Sequence, residues 1–244
     1  MKEVFRMQLD EMRSQMEIDL LWRQEEIAFF KNQLCNINNE EEKNKYRKSL
    51  VLILYSHYEG FMKICLLTYV QYLNTQNLMN KDAVVALKAS SINDAFKKFE
   101  NTNTHFFLKE KDGKSDGEMD RFYRRVQLVN ALSSIDEKQL QIDDTVINTE
   151  SNLWYVVLQK NLYRIGMPTS LFDDLKRDID SLVNRRNSIA HGTQDSGVTE
   201  KELTRWENVV KRILEESIKI LFKYAKDKNY LNDRVPKNDI EQTM

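Results

Sequence analysis

Glycine and proline are scarce in this chain, six and two among 244 residues. Strands and tight turns call for such breakers, so the shortage excludes a many-stranded β-fold and predicts long helices. Cysteine occurs only as Cys35 and Cys65, without C-x-x-C spacing. That excludes a disulfide framework and predicts buried free thiols in a reducing compartment. Histidine occurs only as His57, His105 and His191, too dispersed for a zinc site, and no Glu-x-x-His motif suggests a di-iron bundle. No metal or cofactor is expected. Neither sign of charge prevails: 37 basic and 38 acidic residues leave a formal charge of −1. Without a global field to attract polyanions, a polyanion site must be local. The first residues lack the apolar core of a signal peptide, and the expectation is a cytoplasmic protein.

What the chain has instead is helical periodicity. Phe5, Leu9, Met12, Met16, Leu20, Ile27, Phe30 and Leu34 recur at three- and four-residue steps, interrupted by Arg23 where the next member would fall. Such a stripe describes one helix of up to about 50 Å at about 1.5 Å per residue. Residues 36–39 break it. Asn38 or Asn39 can then cap a second helix whose first turn holds Glu40, Glu41 and Glu42, where negative charge suits the helix dipole. The two predict a long antiparallel hairpin. Residues 50–70 are apolar around nearly the whole circumference, but His57, Glu59 and Lys63 would be expensive in lipid, so the reading is a central bundle helix and not a membrane span. Gly60 within it predicts close approach of another backbone or a ligand.

Beyond residue 80 the pattern weakens. A short helix is expected over residues 91–99, a polar stretch over 101–118, and a helix over 119–132 carrying Arg121, Arg124 and Arg125. These arginines form either a basic landing patch for RNA or a solvated face. Helical signals return near residue 150, where Thr149 or Ser151 can cap, and stop at Gly166. Ser170 starts the next helix, with Asp173 and Asp174 in its first turn, and Thr199 with Glu202 makes a capping box for a last one. Its stripe runs Leu203, Trp206, Val210, Ile213, Ser217, Leu221 and Tyr224. The fold class is all-α: one helical domain over residues 1–226 and a polar tail over 227–244.

The chemistry concentrates in residues 185–192, Arg-Arg-Asn-Ser-Ile-Ala-His-Gly. The stripe Phe172, Leu175, Ile179, Leu182 steps next onto Arg186. A guanidinium there needs an anion, because burying an unpaired charge is costly. Asn187 and His191 share a face, while Arg186 stands five residues before His191, about 140° away at about 3.6 residues per turn. The competing reading is structural: histidine in a last turn followed by glycine is a common C-terminal cap.

Residues 186–191 resemble the R-x4–6-H signature of HEPN-domain ribonucleases, with the polar Asn187 after the arginine. The segment Tyr55-Ser-His-Tyr-Glu-Gly-Phe-Met-Lys63 and the run Thr149-Glu-Ser-Asn-Leu-Trp154 are similar to HEPN-like nucleases of bacterial conflict systems. The resemblance implies a HEPN-like bundle that forms a homodimer with two motif helices at a shared cleft. It also implies metal-independent endoribonuclease activity, and a toxin or antiphage role with a cognate antitoxin or inhibitor protein. In that setting His191 is the expected general acid/base, Arg186 the clamp on the scissile phosphate, and Asn187 the group that orients it. RNA supplies the 2′-hydroxyl as nucleophile. Glu59 is expected to pair with Arg185 or Arg186 in support, and His57 stands as a further supporting residue or a satisfied core histidine. The rival is a non-catalytic HEPN-like module that binds a partner protein or a nucleotide. Gly113-Lys114-Ser115 suggests the end of a phosphate loop, but Leu108 stands where its leading glycine is required.

Overall fold

Asn39 sets the first corner of the fold. Its side-chain oxygen accepts the N–H groups of Glu41 at 2.8 Å and Glu42 at 3.2 Å, starting the long helix α2 (Glu40–Asn74) as the cap predicted. The helix before it, α1 (Leu9–Leu34), returns antiparallel, so the long N-terminal hairpin is present. The computed structural model describes residues 6–103, 105–106, 116–193 and 196–232. Phe5, Leu108, residues 113–115 and tail residues 233–244 lie outside them.

Among the described residues the fold is all-α, with eight α-helices. The weakly patterned middle resolves into α3 (Val85–Ser91), α4 (Asn93–Glu100) and α5 (Gly117–Ser133), where one short helix was expected before the polar stretch. Then follow α6 (Tyr155–Arg164), α7 (Lys176–Ala190) and α8 (Glu200–Lys226). The central helix α2 packs against α1, α7 and α8, while α3 leans on α6 and α4 pairs with α5. By length and a mean hydropathy of 1.4 over its most apolar window α2 could cross a membrane, yet most of that window is buried inside the bundle.

Local rules account for the ends. The capping box at α8 is present, with Thr199 Oγ1 accepting the Glu202 N–H at 3.2 Å and Glu202 accepting the Thr199 N–H at 2.8 Å. Every predicted stripe residue of α8 from Leu203 to Leu221 is buried, and Tyr224 is half-buried. Gly166 ends α6 at φ +73°, a conformation open to glycine without strain.

Four expectations need correction. α7 starts at Lys176, not Ser170, because Phe172 takes a left-handed φ of +67° and Asp173–Leu175 form a 3-10 turn. The Tyr155 hydroxyl pins that turn through the carbonyls of Thr169 at 3.2 Å and Leu171 at 3.1 Å, and through Asp173. The chain after 226 is not yet tail: Tyr230 is buried, its carbonyl accepts the Val84 N–H at 3.0 Å, and Leu231 bridges Ala83. Cys65 is buried, with its thiol pushed well up by desolvation, but Cys35 is exposed. Finally, what approaches Gly60 is not another backbone but the guanidinium of buried Arg23.

Candidate functional site

The motif occupies the last turns of α7. Ile179, Leu182 and Val183 anchor that helix in the core, so Arg186, one step further along the same stripe, is half-buried at its rim. The helix ends on a Schellman turn. Gly192 at φ +65° donates to the Ile189 carbonyl at 3.3 Å, and Thr193 reaches back to the Ser188 carbonyl at 3.1 Å. The cap reading of His191 and Gly192 is therefore realised in the backbone. It leaves the side chain of His191 exposed and without a polar partner among the described residues.

Arg186 is held by neutral groups only. One terminal nitrogen, Nη1, donates to Asn152 Oδ1 at 2.8 Å and to Asn187 Oδ1 at 2.9 Å. The guanidinium carbon lies 4.7 Å from the centroid of the Tyr55 ring, a cation–π contact. No carboxylate among the described residues forms an ion pair with it, and the Nε and Nη2 N–H groups have no hydrogen-bond partner there. An arginine whose planar fork is fixed at one corner and open along an edge is suited to take two oxygens of a phosphate in parallel.

Three ties bring the distant parts together. The Tyr55 hydroxyl accepts the Leu153 N–H at 3.0 Å, joining α2 to the approach of α6. Asp180 on α7 accepts the Tyr155 N–H at 3.0 Å and so caps α6 from outside its own segment. Neither Thr149 nor Ser151 caps it, and the N-cap residue Trp154 makes no side-chain cap bond. The Arg186–Asn152 bond closes the triangle of α2, α6 and α7. Burial pushes the Tyr55 phenol up to about 12, with Glu59 adding to the rise and the Leu153 N–H and Arg186 opposing it. Tyr55 is thus a neutral donor and ring at physiological pH.

The RiboL-PSP-HEPN profile matches residues 18–224. The chain belongs to the RiboL-PSP-HEPN family. No curated protein and no solved structure matches it significantly.

Within this HEPN domain the remaining candidates fall in different places. Arg185 points away from Arg186 and binds the exit loop, donating to Ser196 Oγ at 2.9 Å and to the Gly197 carbonyl at 2.6 Å. Asn44 completes that strap by accepting the Val198 N–H at 2.7 Å. Glu59 makes no ion pair with Arg185 or Arg186 among the described residues; it lies beside the Tyr55 phenol instead. His57 faces α1, with Nε2 at 3.1 Å from Glu26 and Nδ1 at 3.5 Å from Arg23, so the structure puts it in the hairpin and not with the motif. Arg121 and Arg125 line a shallow hollow on α5 with Glu118, Met119 and Phe122, and Arg124 belongs to the same helix. That helix packs on α4. His105 meets buried Asp120 at 2.7 Å, away from the motif.

Sequence reasoning missed Tyr55, Asn152 and Asp180 as parts of the site. A signal for such a cradle does exist. Arg23 and Arg186 both interrupt apolar stripes, but Arg23 has an acid four residues earlier, Asp19, with which it pairs at 2.7 Å. Arg186 has Leu182, Val183, Ile189 and Ala190 at the three- and four-residue neighbours, so its partners had to come from other segments.

Proposed function

We propose that this HEPN protein is a metal-independent endoribonuclease, acting in the cytoplasm as a toxin or antiphage effector restrained by a cognate inhibitor protein. The observation that carries the reading is the open edge of Arg186, a half-buried cation with neutral partners only and two N–H directions left for an anion. A phosphodiester supplies that anion. The 2′-oxygen of the preceding ribose attacks phosphorus, the P–O2′ bond forms and the P–O5′ bond breaks. The products are a 2′,3′-cyclic phosphate and a 5′-hydroxyl. His191 handles the proton that leaves the 2′-hydroxyl and the proton that the 5′-oxygen takes up, and its exposure at the end of α7 gives RNA access to it. Arg186 neutralises the extra charge on the pentacoordinate phosphorus, and Asn187 holds Arg186 from the adjacent position. A second copy of the chain completes the cleft in this reading.

The test incubates parent, Arg186→Ala and His191→Ala proteins with total RNA in excess chelator and maps the ends. The parent is expected to cut, leaving cyclic phosphate and 5′-hydroxyl ends, with each variant slower by about a hundredfold or more. Variants as fast as the parent overturn the assignment. Sedimentation of a monomer at micromolar concentration, together with intact RNA, favours the non-catalytic module.

A further inference from the structure

The three groups around Arg186 have one property in common: none carries charge. Asn152 and Asn187 contribute amide oxygens and Tyr55 a ring face. Asn152 comes from a segment 34 residues away, half-buried and fastened by the neighbouring Leu153 N–H to Tyr55. A carboxylate would make a stronger bond to a guanidinium than an amide does. An amide at this position holds the arginine's geometry while leaving its charge uncompensated.

We infer that Asn152 is a positioning residue that aims Arg186 at a phosphate and leaves its positive charge uncompensated, a role that rests on the endoribonuclease reading above. Removing the oxygen loosens the aim. Replacing the amide by a carboxylate keeps the aim and cancels the charge, so structure and function respond in opposite directions. A purely structural bond would be preserved or strengthened by the carboxylate.

The experiment compares parent, Asn152→Ala, Asn152→Asp and Arg186→Ala proteins. Binding is measured by fluorescence anisotropy with a 2′-O-methyl oligoribonucleotide, which lacks the nucleophile, over a range of salt concentrations. Thermal melting is recorded in parallel. Asn152→Asp is expected to melt at or above the parent temperature yet bind about tenfold or more weakly, with a salt slope shallower by about one phosphate contact, as for Arg186→Ala. Asn152→Ala is expected to fall between parent and Asn152→Asp in affinity. Parent-like binding by Asn152→Asp, or weaker binding by Asn152→Ala than by Asn152→Asp, overturns the inference while leaving the site reading intact. Parent-like binding and cleavage by Arg186→Ala overturns the site reading itself, and the inference with it.

Discussion

The Arg23 guanidinium lies 3.0 Å from the point where a Cβ on Gly60 would stand. Arg23 is fixed there by Asp19 at 2.7 Å and by the Trp22 ring at 4.4 Å from its guanidinium carbon, so it has little room to yield. Gly60→Ala is therefore expected to destabilise the parent by about 1 kcal/mol or more through overpacking. In an Arg23→Ala background the same change should stabilise by about 0.5–1 kcal/mol, because alanine is the better helix former. Urea denaturation of the four proteins reads the change of sign.

His57 lies beside the same guanidinium, with Nδ1 3.5 Å from Arg23 Nη1. Burial holds its imidazole below the ordinary 6.5, opposed by Glu26 and Asp19 and reinforced by Arg23. A depressed native value means that the unfolded chain takes up the proton first. Stability therefore falls as pH drops below about 6.5 toward the native value. His57→Gln should flatten the melting temperature between pH 7 and about pH 5.5 relative to the parent. Equal slopes would show that burial of this ring is not what governs the acid side.

Asp180 ties the start of α6 to α7 through the Tyr155 N–H. Asp180→Ala should cost about 1 kcal/mol, the usual worth of a cap, and speed hydrogen exchange at the Tyr155 amide. Asp180→Asn, which keeps an acceptor, should restore most of both. Because Asn152 precedes that amide by three residues, RNA cleavage follows the same order if the chain is the endoribonuclease proposed above.

Gly192 carries a φ of +65°, and a Cβ there would meet nothing within 4 Å. Any penalty of Gly192→Ala is thus conformational, about 1 kcal/mol, and Gly192→Asn should be milder. If His191 acts from this turn, cleavage falls with the alanine variant by more than binding of the 2′-O-methyl probe does. Parallel falls in both would assign the turn to substrate binding alone.

What the sequence disclosed depended on distance along the chain. The Asn39 cap, the Thr199–Glu202 box and the α8 stripe are decided within a few residues, and all three stand in the structure. Arg186 stood out for the same reason, as a local break in an apolar pattern. Its partners were not legible, because Tyr55 and Asn152 meet it only through tertiary packing. The late start of α7 escaped for a related cause: Phe172 is left-handed with the help of Tyr155, which belongs to another helix. Glu59 and His57 are two residues apart on α2 and so face different neighbours, which separates the Tyr55 cluster from the hairpin cluster.

The Tyr55 ring joins segments 98 residues apart through its hydroxyl, and Asn152 reaches Arg186 over a further 34. During synthesis α2 leaves the ribosome long before α7 exists. The arginine cradle therefore cannot form on a growing chain before α7 has been made, nor on one truncated before residue 186. For a protein read as an RNA-cutting enzyme, made in the midst of messenger and ribosomal RNA, folding order itself delays the hazard until the motif helix has been made.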